Sequence, residues 1–325
     1  MEIKLDIIVP HGGEPWRVCR GFFDMLRLQI GVRKGKIRII IVHDGCGKFS
    51  KEQVAVPWAE VEQIMIRKGG VSTARNTGIE SSLAEWVMFC DIDDRFANVW
   101  AVQGILEALE LEGAREMDML WMPFYIEQPA YHRAMEGFNL CFTHGKIYRR
   151  SFLNAHGIRF FPHLYYAEDS AFNALVGEKL ERGRYGQIKT DAVPYVWTYN
   201  HDSVTSTTAA GRLLAGLFDR HRLVIEWTRE HGRPDSWRGI AARVTRDAFF
   251  QWECRGLDET YTRLCRGKMI RHILDYAAEG ESIDEARKEE IWTAAENEAR
   301  KKRLPERDRA EFEPWLQAIL TERQT

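Results

Sequence analysis

The chain lacks any apolar run approaching the roughly 20 residues that a membrane-crossing helix requires. Its first residues enter a strand-like segment directly, without a signal-peptide pattern, so the expected location is cytoplasmic. It also lacks a net charge of consequence: 46 Lys and Arg face 48 Asp and Glu, leaving −2. Polyanion binding by the protein as a whole therefore has no electrostatic basis, which leaves room only for a local basic patch. No CxxC spacing links the six cysteines, Cys19, Cys46, Cys90, Cys141, Cys254 and Cys265. That spacing offers neither a zinc ribbon nor a disulfide framework, and the expectation is reduced, mostly buried thiols. Internal repeats and low-complexity tracts are missing as well. What remains, 45% hydrophobic and 29% charged over 325 residues, is the composition of an ordinary globular protein with one large domain or two smaller ones.

The pattern that is present begins with Lys4 to Pro10, a buried strand followed by the loop His11-Gly12-Gly13-Glu14-Pro15. From Trp16 to Gln29 the apolar residues fall at helical spacing, with Trp16, Cys19, Phe22, Phe23, Leu26 and Ile30 on one face. A second strand runs from Lys36 to Val42 and ends in His43-Asp44-Gly45. Strand, helix and strand in this order make a βαβ unit, and such crossovers build parallel sheets. Val61 to Ile66 reads as a weaker third strand.

The stretch from Gly69 to Asp94 organises the rest. It reads as a glycine-led turn, a short helix, a continuously apolar strand from Trp86 to Phe89, and then Cys90-Asp91-Ile92-Asp93-Asp94. Strands with no polar alternation are covered on both faces, and ligands of open α/β sheets bind beyond the carboxyl ends of such strands. Three crowded carboxylates repel one another unless a cation or a hydroxyl-rich ligand sits among them. Oxygen ligands of this kind suit Mg²⁺ or Mn²⁺ holding a nucleotide diphosphate.

Farther on, Val99 to Leu111 reads as a helix, Met117 to Tyr125 as a strand broken at Pro123, and Arg149 to His156 as a helix closed by Gly157. Glu168-Asp169 opens an apolar helix over Ala171 to Leu180, and Val193 to Tyr199 is a last strand. Two readings stand for Glu168 and Asp169: helix-start acids favoured by the macrodipole, or a general base facing an acceptor hydroxyl. Asp44 is either a turn aspartate before glycine or a contact to a base or sugar. Arg75 pairs with a diphosphate, holds Asp44 in place, or lies at the surface. His11, His144 and His201 are lone histidines, a type more often structural than catalytic.

Taken together the motifs resemble the family-2 glycosyltransferases of GT-A fold, over roughly residues 3 to 205. The resemblance rests on Val9-Pro10, Asp44-Gly45, Gly70 to Ile79, and Phe89 to Asp94. It continues through the Lys-x-x-Arg-Arg segment Lys146 to Arg150, the Glu168-Asp169 pair, and Tyr195 to Thr205. One departure is the first loop, His11-Gly12-Gly13, where members of the family usually carry an aromatic residue and asparagine. The resemblance implies a GT-A, Rossmann-like α/β domain with a mostly parallel sheet flanked by helices. It implies nucleotide-sugar contacts from Pro10, His11, Asp44, Arg75, Asn76, Asp91 and Ile92, and Mn²⁺ or Mg²⁺ on Asp93 and Asp91. Asp169 would be the catalytic base, with Glu168 beside it positioning the acceptor. Trp121, His144, Lys146 and His201 are candidate acceptor or metal contacts.

The activity implied is a metal-dependent, inverting, hexosyltransferase-type transfer. The sugar would move from a nucleotide diphosphate sugar, a UDP-sugar by family habit, to a hydroxyl on a glycan, polymer, protein or modified DNA. Trp121, Phe124, Tyr125, Tyr131, Tyr165 and Tyr166 flank the expected acceptor side, where aromatic faces suit sugar stacking, although at least half of them are expected in the core. The rivals are a non-catalytic nucleotide-sugar or glycan-binding module with a partner-recruiting tail, and a metal-dependent nucleotidyltransferase. The expected domains are 1–205, divided into a nucleotide-sugar half (1–100) and an acceptor half (101–205), and a helical region 206–325 that follows a composition change over Ser203 to Thr208. That tail reads as helices over Leu213 to Glu230, Trp237 to Arg255, Tyr261 to Ala278, Ile283 to Lys302 and Arg309 to Thr321, and is a candidate for homo-oligomer contacts. Its run Arg300 to Arg303 reads as a solvated helix end rather than a binding site.

Overall fold

In a computed structural model of the chain, β1 (Leu5–His11) and β2 (Ile37–Asp44) run side by side in parallel, each buried along its whole length. The structure describes residues 2–189, 193–201, 210–233, 249–250, 285–301 and 303–321. Ile7, Ile8 and Val9 on β1 and Ile39, Ile40 and Ile41 on β2 have β-branched side chains that fit a strand covered on both faces. Between them α1 (Trp16–Arg27) presents Cys19, Phe22, Phe23 and Leu26 to the core at helical spacing. The helix ends before Ile30, which lies past its last turn and is 43% exposed rather than part of the buried face.

The remaining elements of this half are α2 (Lys51–Val54), β3 (Glu60–Ile66), α3 (Val71–Ser81), β4 (Trp86–Phe89), β5 (Arg95–Phe96) and α4 (Ala101–Glu110). After them come β6 (Met119–Trp121), β7 (Phe124–Gln128), β8 (Tyr131–Met135), β9 (Lys146–Arg149), α5 (Arg150–Ala155), α6 (Glu168–Lys179), β10 (Tyr185–Gln187) and β11 (Tyr195–Trp197). The main sheet has the order β10-β6-β9-β4-β1-β2-β3. It is parallel except at β9, which runs antiparallel to both β4 and β6. A smaller sheet, β5-β11-β7-β8, forms beside the strand-end acids. The expected break at Pro123 separates β6 in the first sheet from β7 in the second.

A buried ion pair fixes the end of the main sheet away from those acids. Arg38 on β2 donates from Nε and Nη2 to the two carboxylate oxygens of Asp6 on β1, both at 2.9 Å. The same Asp6 carboxylate accepts from Ser82 Oγ and from the Leu83 and Ala84 amides, which ties the α3–β4 turn to β1. Burial raises the Asp6 carboxyl, but Arg38 and these donors win and hold it below the ordinary carboxylate range.

The chain divides into two compact units, Met1–Ser203 and Val204–Thr325. In the second, helices cover Ala210–His231, Glu285–Lys301 and Arg309–Thr321. Five of its aromatic residues, Phe249, Phe250, Trp292, Phe312 and Trp315, form one ring cluster. The Ser203 to Thr208 run, the Thr205 end of the last motif and the expected Tyr261 to Ala278 helix lie outside the described residues, as does Trp237 to Arg255 except for Phe249 and Phe250. Among the described residues no helix is long and apolar enough to cross a membrane. Of the four described cysteines, all free, Cys19 and Cys90 are buried and Cys46 is half-buried, while Cys141 is exposed.

Candidate active site

Helix α3 explains most of the Gly70 to Ile79 segment. Ser72, Arg75, Asn76 and Ile79 fall on one helical face, and three of them grip the segment that leads into α6. Ser72 Oγ donates to the Leu164 carbonyl at 3.4 Å. The Asn76 amide pairs with the Phe160 backbone in both directions, at 2.8 and 2.9 Å. Gly78 lies against β1 so closely that a Cβ there would overlap the Ile8 side chain.

Arg75 is 2% exposed and its guanidinium lies 5.2 Å from the Phe160 ring centre. Nη2 donates to Asp91 Oδ1 at 2.8 Å, and Nη1 donates to Glu168 Oε1 at 3.0 Å and Asp169 Oδ1 at 2.6 Å. Burial works against its charge, but the three carboxylates outweigh burial and raise its pKa. One arginine thus joins the strand-end acids to a pair of acids over 90 positions later. Ala167, at φ +60° in the left-handed region uncommon for non-glycine residues, turns the chain so that Glu168 and Asp169 open α6 toward that arginine.

The two α6 acids differ. Asp169 accepts from Arg75, from the Thr143 amide at 3.0 Å and from the Thr143 hydroxyl at 2.7 Å. Those donors take three of the carboxylate's about four lone-pair directions. Glu168 is pushed up to about 7, first by burial and then by the Asp169 charge, against Arg75.

The three acids after β4 are also unlike one another. Burial raises the Asp91 carboxyl, but Arg75 and His144 overcome it and hold it well below the ordinary range. Asp94 is buried and raised. It accepts from the Tyr195 hydroxyl at 2.7 Å and the Thr198 amide at 2.8 Å, which anchors β11. His144 Nε2 lies 3.3 Å from both Asp91 and Asp94, at ion-pair distance but outside hydrogen-bond angles. The two carboxylates outweigh burial and push His144 up to about 10, so the imidazolium is itself the cation between them. Asp93 differs again: its carboxylate accepts from Asn200 at 2.7 Å, and among the described residues no cation lies within ion-pair distance of it. Burial, then Asp94 and Asp91, raise it to about 7.

Five carboxyls thus surround Arg75 and His144, with the buried Lys146 at the edge of the group. Burial lowers Lys146 to about 8 against the pull of Asp169, and its ammonium donates to the Phe142 carbonyl. The excess of acid centred on Asp93, an oxygen donor set without a cation of its own, fits a hard divalent ion. A group of Asp91, Asp94 and His144 also has its ligand atoms within 4.8 Å of one another.

Other expected residues fall elsewhere. Asp44 is 3% exposed and accepts from the Gly69 amide at 2.6 Å and the Gly70 amide at 3.0 Å. It anchors the turn into α3, and Arg75 does not reach it. Pro10 lies within the buried β1, and Ile92, 2% exposed, belongs to the core. His11 lies 2.8 Å from His43 rather than among the acids. Trp121 is half-buried against Phe138, and His201 is exposed in the turn after β11. Phe124 is core, whereas Tyr125, Tyr131 and Tyr165 are exposed. Thr143, Tyr195 and Asn200 had no role assigned from the sequence, and Asp94 was read only as one of the three crowded acids. Asp94 and Tyr195 did stand inside quoted motifs, so a signal was present for those two.

Residues 6–166 match the sequence profile of Glycosyl transferase family 2. EpsH of Bacillus subtilis (strain 168), named as a glycosyltransferase, is 30% identical over 144 residues, which are 38% of this chain and 42% of EpsH. The match thus spans less than half of that relative's length. Among solved structures, S. aureus TarS 1–349 in complex with UDP-GlcNAc superposes with a TM-score of 0.63 at 17% identity, over 83% of this chain and 81% of that one. A second TarS 1–349 structure gives 0.58 at 16% identity, over 84% and 82%. At such identity these two likenesses concern the fold, and it is the profile match that identifies the sequence. Residues 6–166 are a glycosyltransferase family 2 domain, on a GT-A fold.

Proposed function

We propose that the chain transfers a sugar, with inversion, from a nucleotide diphosphate sugar to an acceptor hydroxyl. The observation that carries the proposal is the Arg75 fork, which brings the Glu168-Asp169 pair to the strand-end acids. A group able to take a proton then stands beside a group able to face a diphosphate. A uridine diphosphate sugar is the proposed donor class, and the UDP-GlcNAc in the TarS complex supports it.

In this reading Asp169 accepts the acceptor's hydroxyl proton while the oxygen bonds to the anomeric carbon. The bond from that carbon to the diphosphate breaks with its electron pair, and the nucleoside diphosphate leaves. Arg75 and Thr143 hold the Asp169 carboxylate in place through their three donors. One carboxylate and one displacement give inversion without a covalent sugar–enzyme intermediate. Asp93, with Asp91 beside it, would hold Mn²⁺ or Mg²⁺, which when bound offsets charge on the leaving diphosphate. His144 keeps Asp91 and Asp94 paired, and Lys146 stays a buried strut of the acceptor half.

A second assignment of the base is favoured by Glu168, whose carboxyl at about 7 suits proton transfer near neutral pH better than a carboxylate with three donors. A screen of nucleotide sugars with Mn²⁺, read as released diphosphate, tests the donor. Asp93→Ala and Asp169→Asn should both abolish transfer with folding intact. Full activity in Asp169→Asn together with loss in Glu168→Gln moves the base to Glu168, and full activity in Asp93→Ala removes the metal assignment. The acceptor is proposed as a hydroxylated polymer facing Tyr125, Tyr131 and Tyr165.

A further inference from the structure

At the carboxyl ends of β1 and β2, His11 and His43 are register partners on neighbouring parallel strands. Their side chains therefore project on the same face of the sheet, and the two Nδ1 atoms lie 2.8 Å apart. Each ring's other nitrogen fixes its tautomer. His11 Nε2 lies 3.0 Å from the Glu14 carbonyl, which can only accept, so that nitrogen carries the proton. His43 Nε2 lies 2.9 Å from Gln63 Oε1. The Gln63 amide cannot be turned round, because its Oε1 accepts from the Phe49 amide and its Nε2 donates to the Phe49 carbonyl. His43 Nε2 is therefore a donor too. Both Nδ1 atoms are left as bare lone pairs directed at each other inside the protein, where His11 is 4% exposed and His43 fully buried. The half-buried Cys46 sulfur lies 3.2 Å from His11 Nδ1.

Two opposed lone pairs at this distance need something positive between them. A single extra proton would serve, at the cost of a buried charge beside His43, whose imidazole burial holds below its ordinary range. The Cys46 thiol donates to the His11 carbonyl at 3.3 Å, which keeps its sulfur beside His11 Nδ1. A metal ion would also serve, and it would take that sulfur together with both ring nitrogens as ligands. Carbonyl acceptors on the far nitrogens are the usual means of orienting ligand histidines. We propose that His11, His43 and Cys46 form a zinc-type metal site, with two imidazole nitrogens and one thiolate as ligands and a fourth position open to water. The three ligand atoms lie within 4.8 Å of one another. Tetrahedral zinc with bonds of about 2.0–2.3 Å sets its ligand atoms about 3.3–3.6 Å apart, so binding parts the rings by about half an ångström. The donor set is soft, so it selects zinc-like ions over the hard ions that suit Asp93. The ion would pin the loops that follow β1 and β2 to each other.

Cobalt(II) is the diagnostic probe, because a thiolate–cobalt bond adds a charge-transfer absorption that carboxylate and imidazole ligands lack. The full chain, stripped with chelator, should take up one equivalent of Co²⁺ with that band, and Zn²⁺ should displace it. Cys46→Ser should lose the band, and His11→Gln should weaken Zn²⁺ binding at least about tenfold. Asp93→Ala should keep the band, which separates this site from the acid cluster and from the fate of the transfer reaction. No thiolate band in the wild-type chain, or an unchanged band in Cys46→Ser, would overturn the proposal.

Discussion

Replacing Arg75 with alanine tests what holds the two halves of the site together. The guanidinium is 2% exposed and donates to Asp91, Glu168 and Asp169 over 2.6–3.0 Å. Removing one member of a buried ion pair costs about 3–5 kcal/mol, because the charge left behind has lost both its partner and its water. Here three carboxylates lose a partner, while His144 still serves Asp91. The acids limit the loss by taking up protons, at about 1.4 kcal/mol for each unit their pKa rises. We expect a net destabilisation of about 4 kcal/mol near neutral pH, a large part of the roughly 5–15 kcal/mol that a domain has. The dependence on pH has a definite sign. Arg75 and His144 hold Asp91 below its ordinary 3.8, so that stabilisation is complete above the unfolded value and fades only as pH falls through the folded one. In Arg75→Ala the buried carboxylates lose that support, so the deficit against wild type grows as pH rises above the ordinary carboxylate range. Exchange of the β1 and β4 amides, measured at several pH values, reads the unfolding free energy of this unit. A deficit under about 1 kcal/mol at neutral pH, far below what a buried partner loss requires, would show that Arg75 does not hold the two sets of acids together. A deficit with no pH dependence would do the same.

Two further outcomes follow from single residues. Glu168 is raised from 4.5 to about 7, so between those values the folded state holds a proton that the unfolded chain has released, and wild-type stability falls as pH rises through that window. Glu168→Gln should flatten that part of the profile of Tm against pH, and an unchanged slope would show that another group carries it. Gly145 has φ +67°, and a Cβ there would lie 2.5 Å from the Met122 carbonyl oxygen. Gly145→Ala should therefore destabilise by more than about 1 kcal/mol through strain and overlap together, read as a lower urea midpoint, and it should disturb His144 and Lys146 on either side.

The elements that sequence reasoning reached are those with local causes. Strands β1, β2 and β4 were legible because burial on both faces writes itself as a continuous apolar run. Helix α3 was legible from its glycine-led start, and the open left-handed position of Gly157 marked the end of α5. Strand β9 was not, since its four residues, Lys-Ile-Tyr-Arg, have no periodicity that tells a strand running antiparallel between parallel neighbours from a loop. The acids themselves were visible, but their division of labour was not. It depends on which carboxylate the fold supplies with a cation, and Arg75 finds two of its partners over 90 positions away.

The histidine pair shows where that line falls. A histidine at the end of a fully buried strand must have its ring nitrogens satisfied, so Ile39-Ile40-Ile41-Val42-His43 already asked for polar partners. The sequence could not supply them, because pairing His43 with His11 requires knowing that β1 and β2 are neighbours in the register that sets those two residues opposite each other. The wide spacing of the cysteines excluded a ligand set made by local sequence alone. It left open one assembled by two parallel strands and the loop after the second, and that is the arrangement in which Cys46 meets His11. The departure of the first loop from the family pattern and the proposed ligand set therefore overlap, since His11, the first residue of the unusual His11-Gly12-Gly13 loop, is what brings a lone pair to the cluster.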